Sequence, residues 1–135
     1  WETEEEVRKT FELAKKLMLY KTRAGDSLQA SVVVPYPGTP LYKIFEKGDY
    51  FLFDPKEYEK YDMTAPVVKT QINAPEWCAK MWKIHLHPKF VLRSLATARS
   101  INDLKLLGNG FRSLLGHIKD FSGKKKTADK ENCGC

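Results

Sequence analysis

The sequence has 135 residues, of which 42% are hydrophobic, and a net charge of +6. This composition is normal for a globular domain with one modest core. No stretch approaches the roughly 18 consecutive apolar residues that a membrane span requires, so no transmembrane helix is predicted. The default expectation is therefore a protein of the cytoplasm.

The three cysteines, Cys78, Cys133 and Cys135, are too few for a disulfide framework and fit a reducing compartment. Cys133 and Cys135 could bind a soft metal only with outside ligands, because no matching His or Cys pair accompanies them. The lysine run at residues 124–126 lies in the same polar segment. A disordered tail over residues 123–135 is the favoured interpretation.

Charge is distributed unevenly along the chain. Residues 1–79 carry a net charge of −2, and residues 80–135 carry a net charge of +8. A basic carboxyl-terminal half can bind nucleic acid or an anionic lipid surface, and it can equally complement an acidic neighbouring domain.

The first predicted helix begins at a capping box formed by Thr3 and Glu6 and runs to about Tyr20. Residues 27–34 are predicted to form a strand, because the three valines at 32–34 are typical of a strand buried on both faces. A lone parallel strand has no partner for its backbone groups. We therefore expect the chain to be a fragment of a longer protein, whose amino-terminal part carries most of a sheet and is absent from this sequence.

A rigid turn is predicted after this strand, at residues 35–39. Pro35 removes a backbone donor, and Gly38 permits backbone angles that other residues adopt only at a cost. Thr39 can then cap a helix that Pro40 begins. Ligands of α/β proteins bind at the carboxyl ends of strands, where this turn would lie. The local residues nevertheless favour a plain strand-to-helix connection over a ligand site.

Residues 48–73 are rich in aromatic and acidic side chains and have no regular period, which indicates an irregular segment. Its aromatic residues could line a pocket, but such residues more often fix a segment to the surface beneath it. The residues concerned are Tyr50, Phe51, Phe53, Tyr58 and Tyr61.

Residues 74–122 are predicted to form a basic, mostly helical extension, with helix starts at Asn73 and Ser100. Gly108 and Gly110 weaken the apolar face of its last helix.

Two histidines in this extension, His85 and His87, are two residues apart and would face different directions on a helix. They could not share a metal there, and satisfied or exposed histidines are the better interpretation. No metal site and no catalytic side chain is predicted within this sequence.

Several motifs together indicate a family. They are Trp1-Glu-Thr-Glu-Glu-Glu before a helix, Ser27-Leu-Gln-Ala-Ser-Val-Val-Val-Pro-Tyr-Pro-Gly-Thr-Pro-Leu-Tyr42, Tyr61-Asp-Met-Thr, Pro88-Lys-Phe-Val-Leu-Arg93 and Ser100-Ile-Asn-Asp-Leu-Lys105. The sequence resembles the carboxyl-terminal third of radical SAM enzymes that carry an amino-terminal cobalamin-binding domain. The resemblance covers nearly the whole chain up to Phe121.

The resemblance implies an α/β fold. Residues 1–47 would be the last helix-strand-helix unit that closes a partial TIM-like (β/α)6 radical SAM barrel, and residues 74–122 a mostly helical carboxyl-terminal extension. It also implies an enzyme that uses a [4Fe-4S] cluster to cleave S-adenosylmethionine, for methyl transfer or cyclisation, with cobalamin as a further cofactor. The cysteine motif that holds the cluster, Cys-x3-Cys-x2-Cys, is missing from the sequence. The cluster and cobalamin sites would therefore lie outside this segment, which alone is expected to be inactive.

The resemblance also implies which residues face S-adenosylmethionine. They are Glu2 and Thr3, after the fifth barrel strand, and the turn formed by Pro35, Tyr36, Pro37, Gly38 and Thr39, after the sixth. A proline-fixed turn suits a cofactor that needs orientation. The implied partners are the missing amino-terminal domains and a small-molecule or lipid-like substrate, and the basic helices are compatible with peripheral membrane contact.

The alternative is a small basic helical module that binds nucleic acid or protein without catalysis. It depends on the basic carboxyl-terminal half, where Trp77, Trp82 and Phe90 are interleaved with Lys and Arg. The basic residues form no single helical stripe, which disfavours nucleic acid as a partner.

Overall fold

The computed structural model describes residues 2–20 and 23–123, with side chains as far as Phe121. Within these ranges the chain forms five α-helices: α1 (Glu4–Tyr20), α2 (Pro40–Lys47), α3 (Ala74–Lys83), α4 (Pro88–Thr97) and α5 (Ile101–Gly123). Two short 3-10 helices, Tyr58–Lys60 and Ile84–Leu86, lie in the connections. The predictions for Trp1, the lysine run at 124–126, Cys133 and Cys135 fall outside the described residues.

The predicted α/β fold was wrong. The described residues contain helices but no strand or sheet, so residues 1–47 are not a helix-strand-helix unit that closes a barrel. Valines favour extended backbone, but a strand forms only when a neighbouring backbone completes its ladder. The backbone hydrogen bonds of residues 27–34 do not form such a ladder. The Leu28 amide donates to the His85 ring at 3.0 Å, and the Val32 amide donates to the Met63 carbonyl at 3.0 Å.

The predicted helix starts are confirmed by their caps. At the start of α1, the Glu6 carboxylate accepts a hydrogen bond from the Thr3 amide at 2.7 Å, and the Thr3 hydroxyl accepts one from the Glu6 amide at 3.4 Å. This bond from the Thr3 backbone lowers the pKa of Glu6. Side chains cap α2, α3 and α5 in the same way, at Thr39, Asn73 and Ser100.

Residues 40–68 enclose a buried core that we call the aromatic cluster, formed by Phe45, Phe51, Val67 and Val68. Partly buried tyrosines and Phe53 surround it. An isolated antiparallel bridge joins Phe51 to Val68, and the Leu52 amide donates to the Val67 carbonyl at 3.1 Å. The burial of Phe51 confirms that aromatic residues fix this segment to the surface beneath it, although Tyr58 is exposed.

The helices α3, α4 and α5, which we call the helical half, form the rest of the core. α3 packs against α5, and a buried cluster there contains Val32, Cys78, Ala79 and Phe121. A second cluster joins α1 to the helical half through Met18, Ile84 and Phe90. None of the helices in the described ranges is long and apolar enough to cross a membrane.

The carboxyl end of α1 is capped by a side chain that is distant in sequence. Arg93 on α4 donates to the Leu19 carbonyl at 2.9 Å and also to the Tyr20 carbonyl. The last carbonyl groups of a helix have no donor within the helix itself. The Arg93 guanidinium therefore supplies bonds that α1 cannot make alone.

Candidate small-molecule site

Glu2 and Thr3, two of the predicted cofactor-facing residues, lie at the start of α1. Thr3 acts as a helix cap, because both its amide and its hydroxyl donate to the Glu6 carboxylate, at 2.7 and 2.8 Å. Glu2 lines a cavity of about 330 Å³, which we call the small cavity, together with Val32, Val33 and other apolar residues. Glu2 thus lies next to the segment that leads into the predicted turn.

The predicted turn at residues 35–39 begins at a buried proline and then runs along the surface. Pro35 is fully buried, whereas Tyr36, Pro37, Gly38 and Thr39 are exposed. The Thr39 hydroxyl donates to the Tyr36 carbonyl at 2.7 Å, and Gly38 has a φ of 86°, which glycine adopts at little cost. The turn does not belong to the lining of the small cavity, so the structure does not bring it into one cavity with Glu2.

A larger cavity, of about 630 Å³, lies between α4, α5 and the turn at residues 25–29; we call it the large cavity. Its volume is typical of small-molecule sites. Most of its wall is apolar, and the largest contributions come from α4 and α5, through Phe90, Leu95, Leu104, Leu107, Phe111 and Leu114.

His85 lines the large cavity, but both of its ring nitrogens are already bonded. Nδ1 lies 2.9 Å from the Trp82 carbonyl, and Nε2 accepts a hydrogen bond from the Leu28 amide at 3.0 Å. A carbonyl can only accept, so Nδ1 carries the proton. This confirms the prediction that His85 is a satisfied histidine, and its role here is to fix the wall of the cavity.

His117 on α5 differs from His85. Its ring stacks on the Trp82 indole, with centroids 4.4 Å apart and planes inclined by 16°. The indole is held in turn by a 2.9 Å hydrogen bond from its Nε1 to the Ala30 carbonyl. Among the described residues, no hydrogen-bond partner reaches the His117 ring nitrogens. His117 therefore brings to the cavity an imidazole that Trp82 orients and that no described residue hydrogen-bonds.

Ser94 on α4 is the most unusual polar residue of the wall. It is only 3% exposed, and its hydroxyl has no hydrogen-bond partner in the described part of the chain. A buried polar group without a partner costs about 1 to 3 kcal/mol, so such a group requires an explanation. Ser94 belongs to the lining of the large cavity, but its hydroxyl oxygen is itself fully buried. A bound molecule could become its partner only if the side chain turned toward the cavity.

Two glycines lie on the α5 side of the large cavity. Gly108 and Gly110 both line it, and a Cβ added at either would meet no described atom within 4 Å. The sequence showed these glycines only as weak points in an apolar helix face. Their position on that face was the available signal for a cavity, but the sequence does not show which element lies opposite.

The described residues hold no group of three or more His, Cys, Asp or Glu that could bind a metal. Burial raises the pKa of the Cys78 thiol to about 11, so Cys78 stays protonated and weakly nucleophilic near neutral pH. Burial is also the main cause that raises the pKa of Tyr61, to about 12. Neither Cys78 nor Tyr61 lines the large cavity.

The aromatic residues on which the nucleic-acid alternative depends are engaged in the core. Trp77 and Phe90 are buried, and the Trp77 indole donates to Glu4 at 3.2 Å. Trp82 is covered by His117. Nucleic-acid bases stack on free aromatic faces, so these three residues would have to leave their packing to bind them.

Comparisons with known proteins return no match. No protein-family model matches the sequence, and neither a curated protein nor a solved structure is significantly similar to it. The resemblance to radical SAM enzymes therefore depends on the sequence motifs alone, and function has to be argued from those motifs and from the geometry.

Proposed function

We propose that this chain is the carboxyl-terminal part of a radical SAM enzyme, in which it supplies binding surfaces rather than a catalytic side chain. The observation that carries the proposal is the turn at residues 35–39. It combines the most specific sequence match with a backbone that is anchored by buried Pro35 and open at Gly38.

The geometry of the turn suits a cofactor that must be oriented. Thr39 holds the turn at both sides, since its hydroxyl donates to the Tyr36 carbonyl and accepts from the Tyr42 amide at 3.2 Å. The Tyr36 ring stacks on Tyr61 with centroids 6.3 Å apart, which fixes its direction. A fixed backbone presents carbonyl and amide groups without a rearrangement on binding.

The exposed apolar residues of α1 support a role within a larger protein. Leu13, Leu17 and Tyr20 are each more than half exposed. Their spacing places them along one side of the helix. A contiguous exposed apolar surface of this kind is typical of a contact with further protein. In the proposed enzyme, α1 packs there against the preceding domains, which also hold the cluster and cobalamin.

The decisive experiment uses the complete reading frame. The protein is expressed anaerobically, reconstituted with iron and sulfide, and examined by electron paramagnetic resonance with and without S-adenosylmethionine. We expect a reducible [4Fe-4S] signal that S-adenosylmethionine perturbs. A complete protein without the Cys-x3-Cys-x2-Cys motif, or without a reducible cluster, would contradict the proposal.

A pair of glycine variants tests the turn itself. Gly38→Val places a branched side chain where φ is 86°, so we expect a weaker perturbation of the cluster signal at a given S-adenosylmethionine concentration. Gly116→Val is the matched control, because a Cβ there also meets no described atom within 4 Å and the residue is distant from the turn in sequence. Equal effects of the two variants would remove the turn from the proposal.

A further inference from the structure

The large cavity has the features of a built site rather than of a packing defect. Its lining comes from five separate parts of the chain, namely α3, the 3-10 helix Ile84–Leu86, α4, α5 and the turn at residues 25–29. The backbone of that turn lies close to α5, because a Cβ on Gly25 would stand 3.3 Å from the Leu106 side chain. The walls are therefore set by tertiary contacts between parts of the chain that are distant in sequence.

Two polar groups on the wall could orient a ligand in this mainly apolar cavity. Ser94, on α4, has a buried hydroxyl without a partner, and His117, on α5, has ring nitrogens that no described residue bonds. A hydroxyl can donate or accept, and a neutral imidazole does both through different nitrogens. Either group can therefore bond to a ligand hydroxyl or carbonyl oxygen.

The charge of the lining selects against an anionic ligand. Asp26 is the carboxylate on the wall, and no Lys or Arg is among the described residues that line the cavity. Burying a carboxylate or phosphate there without a cationic partner would be costly. The nearby Arg93 is not a substitute, because its guanidinium is bonded to the end of α1.

We infer that the large cavity binds an uncharged, mainly apolar small molecule that carries one hydroxyl or carbonyl group, which bonds to the His117 imidazole and to the Ser94 hydroxyl once that side chain turns toward the cavity. This inference does not depend on the proposed radical SAM function, since the binding is a property of this chain and is measured without iron, cobalamin or S-adenosylmethionine.

The first test compares three ligands with the same alkyl chain and different head groups. Decan-1-ol, decanoate and decylamine are titrated into the isotope-labelled chain, and the indole N–H resonances are followed by nuclear magnetic resonance. We expect decan-1-ol to shift the Trp82 signal while the Trp77 signal stays in place, and to bind at least tenfold more tightly than decanoate. A Trp82 signal that does not move, or tighter binding of decanoate, would overturn the inference.

The second test blocks the cavity from α5. Gly108→Leu fills space that is open next to the wall, so we expect decan-1-ol affinity to fall at least tenfold. Gly116→Leu removes a glycine from the same helix, at a position that also has no neighbour within 4 Å but does not line the cavity. Its affinity should stay within about twofold of the parent value. Equal losses in the two variants would place the ligand elsewhere.

A third variant keeps the inference testable if Gly108→Leu does not fold. Ser94→Ala removes the unpartnered hydroxyl with a minimal change in volume, and loss of one hydrogen bond corresponds to roughly threefold to tenfold weaker binding of decan-1-ol. An unchanged affinity would overturn the role of Ser94. Far-ultraviolet circular dichroism of each variant provides the control for folding.

Discussion

The aromatic cluster and the helical half use space in opposite ways. In the aromatic cluster, Val67 is fully buried, and a Cβ on neighbouring Gly48 would stand only 2.2 Å from the Tyr50 ring. In the helical half, α4 and α5 border a cavity of about 630 Å³, and Gly108 and Gly110 face open space. The aromatic cluster also borders an open space, since Phe45 and Val68 line the small cavity of about 330 Å³. The two regions therefore differ in degree, and the larger space lies in the helical half.

This difference follows from where each region finds its hydrogen bonds. A helix satisfies most of its backbone groups internally, so it can border an unfilled space without leaving them unpaired. An irregular segment lacks these regular internal hydrogen bonds and depends on tight side-chain packing to keep its conformation. The helical half can therefore border the larger space, whereas the aromatic cluster depends more on its side-chain packing.

The largest expected effect separates two phenylalanines. Phe51 is 6% exposed and Phe111 is 52% exposed. We expect Phe51→Ala to lower the free energy of unfolding by about 3 to 5 kcal/mol, because it leaves a cavity in a packed core. Phe111→Ala should cost less than about 1 kcal/mol, since the side chain is largely solvated. Urea denaturation measures both, and similar costs would break the comparison.

The next effect concerns a side chain of the helical half, Cys78, that is buried away from water. Burial raises the pKa of Cys78 from 9.0 to about 11 in the folded chain. The unfolded thiol loses its proton first, so this contribution is complete below pH 9 and is lost as the pH rises to about 11. The shift corresponds to about 2 to 3 kcal/mol of unfolding free energy.

A Cys78→Ala variant isolates this contribution from other groups that titrate in the same range. The wild-type chain should lose more stability than the variant between pH 8 and pH 11, as measured by denaturation at each pH. Parallel pH profiles would mean that Cys78 is not buried in the way that the structure shows.

Two glycines test the contrast in packing density directly. Gly48→Ala would force the Tyr50 ring away from its place beside Phe45, so we expect a loss of about 1 to 3 kcal/mol. Gly110→Ala adds a methyl group in open space and removes a glycine from a helix, so a gain of roughly 0.5 to 1 kcal/mol is expected. Thermal unfolding gives both signs, and the same sign for both would contradict the difference.

The last effect concerns the ligand-free cavity. Ser94→Ala removes a buried hydroxyl that has no partner among the described residues. We expect the free energy of unfolding to rise by about 1 kcal/mol, in the opposite direction to most core substitutions. A fall in stability on chemical denaturation would show that the hydroxyl already has a partner.

The parts of the fold that could be predicted from sequence are those fixed by interactions between residues close in sequence. The boxes at Thr3 with Glu6 and at Ser100 with Asp103 join residues three positions apart, and both helices begin where the sequence indicated. A strand is different, because it requires a partner backbone that no local pattern supplies. The valines at 32–34 therefore predicted a strand that the described chain does not form.

The candidate site could not be predicted for the same reason. Its wall depends on contacts such as the one between the Leu28 amide and His85, which are 57 positions apart. The sequence indicated a satisfied histidine at His85, but not that Trp82 and His117 would stack, nor that Ser94 would lie buried beside them. Cofactor contacts at Glu2, Thr3 and residues 35–39 stay predictions.

The bonds from Arg93 to the end of α1 have a consequence for the order in which the chain is built. Tyr20 leaves the ribosome 73 residues before the side chain that caps its carbonyl. The start of α1 is complete at once, because Thr3 and Glu6 are neighbours, whereas its last turn waits for α4 to be made and to dock. The two ends of α1 therefore form at different times. When amide exchange is followed during refolding, protection should extend to the last turn of α1, near Tyr20, only as the helical half forms.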